Sequence, residues 1–117
     1  MAAAIIVADT SVLINFLNID RMDLLGHYPR RFLATDHVRI EIEDSEQHLR
    51  YDAAVVATYL DICTVTDPDE VELFMRLEPG KRLGAGECSA IAVALSRNLA
   101  IAIDDNRACL LYTSRCV

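Results

Sequence analysis

Two apolar runs of strand length bracket the chain, Ala4–Ala8 (AIIVA) and Leu99–Ile103 (LAIAI). Neither alternates between apolar and polar residues. Such continuous runs belong to strands buried on both faces, as in a parallel sheet covered by helices. Each run stops at an acid: Asp9 after the first, Asp104 and Asp105 after the second. Arg31–Thr35 (RFLAT) and the short Ile62–Val65 supply two more strands.

Between the strands the apolar spacing turns helical. Val12, Leu13, Phe16 and Leu17 form a stripe behind three cap candidates, Asp9, Thr10 and Ser11. A turn of helix is expected over Asp20–Leu25, ended by Gly26 and Pro29. A helix over His37–Asp44, capped by Thr35 or Asp36, would turn Val38 and Ile42 inward. The next, Glu46–Leu60, would bury Leu49, Ala53, Val56 and Leu60. Pro68 opens a helix through Leu77, since proline is tolerated in the first turn. Pro79–Gly84 reads as a loop, and the Ala-rich Glu87–Asn98 as a helix small enough to pack closely on a sheet. Strands alternating with helices imply right-handed βαβ units.

Length and composition bound the function. At 117 residues the chain is expected to form one domain over 1–117, and 53% apolar content excludes intrinsic disorder. No apolar run approaches the roughly 20 residues of a membrane span, and no leader pattern opens the chain, so a cytoplasmic protein without a membrane partner is expected. Cys63, Cys88, Cys109 and Cys116 form no C-x-x-C pair and read as reduced thiols. Eleven basic against 18 acidic residues give a net charge of −7. That balance disfavours nucleic-acid binding by bulk attraction, but it suits a site whose carboxylates hold metal.

Topology then gathers the acids. In parallel sheets, ligands bind beyond the carboxyl ends of the strands. Asp9 and the Asp104–Asp105 pair follow strands directly. Glu87 opens the helix that precedes the last strand, so it starts at the same edge. Glu41 and Glu43, about 200° apart on a helix, cannot both face it. Glu41 adjoins the apolar side marked by Val38 and Ile42 and is the choice. Each acid also has a plain structural use, as cap, helix-dipole partner, turn former or solvated surface. Those uses do not require a shared edge. Converging carboxylates suit hard cations such as Mg²⁺ or Mn²⁺, and such ions activate water and clamp phosphates in hydrolysis.

The motifs resemble those of PIN domains. Ile5–Leu17 (IIVADTSVLINFL) is similar to the family's first strand and helix. Val38–Ile42 (VRIEI) is similar to its V-x-x-E segment, Leu83–Leu95 (LGAGECSAIAVAL) to its G-E-x-x-A-I-A helix, and Ile101–Ala108 (IAIDDNRA) to its closing strand and acid. The resemblance implies a three-layer α/β PIN-like fold, a central parallel sheet flanked by helices. It also implies a Mg²⁺- or Mn²⁺-dependent ribonuclease with Asp9, Glu41 and Glu87 as catalytic, metal-site acids. The fourth acid is Asp105 by the family's T-x-D pattern, here with Ile103 in the Thr place, or Asp104 by a double-Asp pattern. Asp105 is favoured. Thr10 or Ser11 would orient the Asp9 carboxylate or a water on the ion. Many small members are VapC-type toxins, which implies a homodimer and an antitoxin that inserts a basic side chain near the acids. The last nine residues, Cys109–Val117, do not resemble the family's closing helix and edge strand, so a fold truncated or altered at the C-terminus is expected.

Other signals carry less. Lys81, Arg82 and Arg107 are candidates for RNA phosphate contact; Arg30, Arg31, Arg39 and Arg50 are similar but weaker ones. His27, His37 and His48 share no metal-ligand spacing. Gly84-Ala85-Gly86-Glu87-Cys88-Ser89 approaches a dinucleotide fingerprint but follows no strand. Asp9-Thr10-Ser11 lacks the second Asp of a phosphotransferase loop. Two alternatives to the ribonuclease remain: a DNA-directed nuclease, since no feature reads the 2′-hydroxyl, and a non-catalytic PIN-like binding or scaffold module.

Overall fold

The computed structural model describes residues 5–81 and 84–103, with the backbone alone for 78–81. Four parallel strands form one sheet: β1 (Ile5–Ala8), β2 (Arg31–Thr35), β3 (Asp61–Cys63) and β4 (Ala100–Ala102), in the order β3-β2-β1-β4. β1 pairs with β2 through Ile6↔Phe32 and with β4 through Val7↔Ile101. The first and last apolar runs are therefore neighbours, and Asp9 N–H extends the ladder to the Ala102 carbonyl at 3.2 Å.

Side chains alternate across this sheet into two cores. Ile6, Ala8, Phe32, Ala34 and Ala102 face a layer that includes α1 (Thr10–Asn18), α3 (Asp36–Glu41) and α4 (Ser45–Val56). Val7, Leu33 and Ile101 face α6 (Ala85–Arg97), with Phe74 and Leu77 of α5 (Pro68–Lys81) packed alongside. Both faces are covered, as continuous apolar strands require. The result is the α/β architecture expected, a parallel sheet flanked by helices.

α6 explains how the second core closes. Gly86 and the whole run Cys88–Ala94 are buried. Small side chains there let the helix lie close to the sheet. Asn98 ends the helix in the left-handed region at φ 59°, a conformation asparagine tolerates, and the chain turns directly into β4.

Several local expectations are corrected. The inner face of α4 is formed by Tyr51 and Ala54, whereas Leu49 and Val56 are 72% and 84% exposed and Ala53 is exposed as well. Among the described residues Tyr51 is the largest fully buried side chain, and its ring takes the inward face that apolar spacing assigned to Leu49 and Val56. α3 stops at Glu41 rather than Asp44, because Asp44 instead caps α4 by accepting from Gln47 N–H at 2.9 Å. Gly26 does not end a helix; it lies within α2 (Asp23–His27), where an added Cβ would strike the Tyr59 ring. The Pro79–Gly84 loop is likewise shorter than expected, since α5 continues through Lys81. Phe74 and Leu77 pack that helix against α6, offsetting the backbone hydrogen bond that Pro79, lacking an N–H, cannot donate. The expected tail, Cys109–Val117, lies outside the described residues.

Candidate active site

β1 ends at the centre of the sheet, so Asp9 enters the carboxyl edge between β2 and β4. It is fully buried. Its Oδ1 accepts from Val12 N–H at 3.0 Å, capping α1. The structural use of this acid is thus real, and it fixes the carboxylate's direction.

Glu41 reaches the same edge from the last residue of α3. Thr10 Oγ1 donates to its Oε1 at 2.6 Å, across 31 residues of sequence. The Thr10 hydroxyl therefore orients Glu41; the sequence had suggested that Thr10 or Ser11 orients Asp9 or a water on the ion. Glu41 is half-buried, whereas Glu43 is exposed. Two glycines make room for this carboxylate. A Cβ on Gly84 would stand 2.8 Å from Glu41 Oε2, and one on Gly86 would collide with both Glu41 Oε1 and Thr10 Oγ1. The absence of a side chain at Gly86 is what lets α1, α3 and the first turn of α6 meet.

Glu87, half-buried, stands next to Gly86 in that first turn. Asp9 stands next to Thr10. The Thr10–Glu41–Gly86 junction thus brings the three acid-bearing segments together. Ser11 is exposed. β4 leads through Ile103 toward the same edge, but Asp104, Asp105 and Arg107 lie outside the described residues, as does Arg82. Lys81 ends α5, and its side chain is not described. Among the described residues, no three His, Cys, Asp or Glu side chains stand close enough to hold an ion.

Two buried hydroxyls escaped the sequence reading. Thr35 Oγ1 and Ser89 Oγ lie 2.6 Å apart between the end of β2 and the first turns of α6. The signal available was a serine inside a run of small residues and a threonine closing an apolar strand. Neither points to the other without the fold.

Several candidate phosphate contacts are engaged elsewhere. Arg31 makes a bidentate pair with Asp61 and reaches the Thr58 carbonyl at 2.6 Å. Arg39 pairs with Asp52 at 2.9 Å, and Arg50 donates to the Leu17 carbonyl at 2.9 Å beside Asp20 and Glu46. The His37 ring stacks at a tilt on Phe74, with centroids 4.7 Å apart, and His48 bonds the Ile42 carbonyl. Cys63 is a half-buried free thiol, and Cys88 is buried.

A PIN-domain family model matches residues 5–111. The chain belongs to the PIN-domain family. Among solved structures, a chain from a toxin-antitoxin complex of Klebsiella pneumoniae superposes with a TM-score of 0.66 at 16% identity, covering 96% of this chain and 95% of that one. PAE2754 of Pyrobaculum aerophilum gives 0.60 at 18% identity, covering 99% of this chain and 83% of that one. At those identities the likeness is one of fold. No curated protein matches the sequence.

PIN domains are generally nucleases and typically bind divalent metals. The donor chemistry of this PIN domain fits such an ion in kind: the three segments that meet carry carboxylates, the oxygen ligands that hard cations prefer. Among the described residues, no helix is long and apolar enough to cross a membrane.

Proposed function

We propose that the protein is a metal-dependent ribonuclease that hydrolyses RNA phosphodiester bonds, acting as the VapC-type toxin of a cytoplasmic toxin–antitoxin pair. The observation that carries this reading is the Thr10–Glu41–Gly86 junction, which sets the segments of Asp9, Glu41 and Glu87 against one another at the carboxyl edge of the sheet. The fold likeness to a chain of a toxin-antitoxin complex supports the biological setting.

In this reading Asp9, Glu41, Glu87 and Asp105 hold Mg²⁺ or Mn²⁺, with Asp104 the alternative for the fourth place. When bound, the ion makes water a better nucleophile near neutral pH and offsets charge on the phosphate. The protein's part is to hold oxygens in place. Val12 N–H occupies one Asp9 oxygen and so fixes the rotation of that carboxylate. Thr10 does the same for Glu41. Lys81, Arg82 and Arg107 are assigned to the RNA phosphates. A homodimer and an antitoxin with a basic side chain for the acidic edge complete the proposal.

The test is a Mn²⁺ titration of the protein and of Asp9→Asn, paired with cleavage of matched RNA and DNA strands. Binding that Asp9→Asn abolishes, with cleavage of RNA alone, is the expected result. Cleavage of DNA alone would make the chain a DNA-directed nuclease. No binding, or binding indifferent to Asp9→Asn, would sink the enzymatic reading and leave a non-catalytic binding module.

A further inference from the structure

Thr35 holds the N-cap position of α3, where a threonine hydroxyl ordinarily accepts from an amide in the helix's own first turn. It makes no such bond. Its hydroxyl lies instead 2.6 Å from Ser89 of α6, 54 residues away. Both side chains are fully buried. Ser89 Oγ donates to the Gly86 carbonyl at 3.1 Å. A serine carries one hydroxyl proton. With that proton given to Gly86, Thr35 is the donor between the two hydroxyls.

The bonds thus run from the end of β2, through Ser89, to the backbone of Gly86. Gly86 is the residue against which Glu41 and Thr10 are wedged, and Glu87 follows it. Thr35 also starts the helix whose last residue is Glu41. One buried threonine therefore touches the start of the element presenting Glu41 and the turn presenting Glu87. Stability alone does not explain the pair. Two hydroxyls that satisfy each other contribute little more than two apolar groups of the same shape, and a local cap on α3 has been given up for them.

We propose that the Thr35–Ser89 pair is a positioning clamp that sets the separation of Glu41 and Glu87 for metal binding, an inference that rests on the metal-dependent reading above. The clamp acts through Gly86 and touches neither ion nor substrate. Thr35→Val and Ser89→Ala remove the two hydroxyls together and leave an apolar contact in their place.

The experiment measures Mn²⁺ affinity and thermal unfolding for wild type, the Thr35→Val/Ser89→Ala double variant, Thr35→Ser and Asp9→Asn. The double variant is expected to unfold close to wild type yet bind Mn²⁺ about 10-fold or more weakly, the scale at which contacts behind ligand side chains act. Thr35→Ser, which keeps the hydroxyl, is expected to bind as wild type does. Glu70→Gln, remote from the edge, serves as a destabilised control with unchanged affinity. Ser89→Ala alone introduces the best helix-forming residue and supplies the same comparison should the double variant be unstable. Wild-type affinity in a folded variant lacking the hydroxyls overturns the clamp while the metal reading stands. Wild-type protein that binds no Mn²⁺, or binds it indifferently to Asp9→Asn, overturns both.

Discussion

Asp9 and Glu70 are both buried acids, 0% and 1% exposed, and the fold accommodates them in different ways. Glu70 lies in the first turn of α5 and accepts two bonds from Arg97, at 2.5 and 3.2 Å, in the last turn of α6. Each charge sits at the helix end that favours its sign, and each neutralises the other. Nothing further is needed to account for Glu70. Asp9 caps a helix, and a cap needs only an acceptor oxygen, which Asn or Ser supplies equally well. Capping uses one Asp9 oxygen, and an acid at that position is also what the proposed metal-binding edge would use.

The two acids should therefore fail in opposite ways. Asp9→Asn keeps an acceptor for the cap, so its loss of stability is expected to be smaller than that of Glu70→Ala. Its cleavage rate should fall by about two orders of magnitude or more, since a bound ion contributes several kcal/mol at about 1.4 kcal/mol per decade. Glu70→Ala removes one partner of an ion pair. It should cost stability near the low end of about 3–5 kcal/mol, because Arg97 is partly exposed and can reach water. Its Mn²⁺ affinity and its activity per folded molecule should not change. Denaturant unfolding and single-turnover cleavage of the two variants decide the matter. Equal losses of stability and activity in both would break the contrast.

Gly86→Ala comes next in size and falls between the two. The added methyl meets the far end of Glu41 and the Thr10 hydroxyl. Overpacking costs about 1–3 kcal/mol, and alanine returns about 0.5–1 kcal/mol over glycine in a helix. Since the Glu41 side chain can swing away, the expected net loss of stability is about 1 kcal/mol, with a clear loss of Mn²⁺ affinity. An affinity that survives Gly86→Ala would mean that Glu41 is not held where the ion needs it.

The reading of the sequence succeeded where burial left little choice. Ile5–Ala8 and Ala100–Ala102 have no polar face, so only the interior of a covered sheet suits them. Their order in the chain then places Asp9 at the carboxyl edge. α6 was legible for the same reason, because a run of small and apolar residues belongs against a sheet. α4 was misread because its composition is mixed: Leu49 and Val56 fit an apolar stripe, but the volume of Tyr51 decided which side turned inward. The partners of Thr35, Thr10 and Arg39 lie 54, 31 and 13 residues away in sequence, and no local pattern records them. The segments of Asp9, Glu41 and Glu87 could be assigned to one edge; the hydroxyl and glycines that pack around Glu41 could not.

A third acid completes the comparison with the smallest effect. Asp52 is about half exposed and accepts two bonds of 2.9 Å from Arg39, joining α4 to α3. The guanidinium holds its carboxyl below the usual carboxylate range. A lowered pKa in the folded state adds stability above the unfolded pKa, about 4, and that stability fades as pH falls through the lowered value. Arg39→Gln should therefore unfold slightly earlier than wild type at pH 7, with a gap smaller than for Glu70→Ala or Gly86→Ala, because water and salt screen an exposed pair. The gap should narrow as pH falls below about 4 and on through the lowered folded-state value. Thermal melts of the two proteins across that range test the sign. A gap that widens in acid would show that Arg39 serves some group other than Asp52. Since Arg39 lies two residues before Glu41 on α3, unchanged Mn²⁺ affinity in Arg39→Gln would also show that the position of Glu41 is set from the buried side, by Thr10 and Gly86, and not by the surface pair.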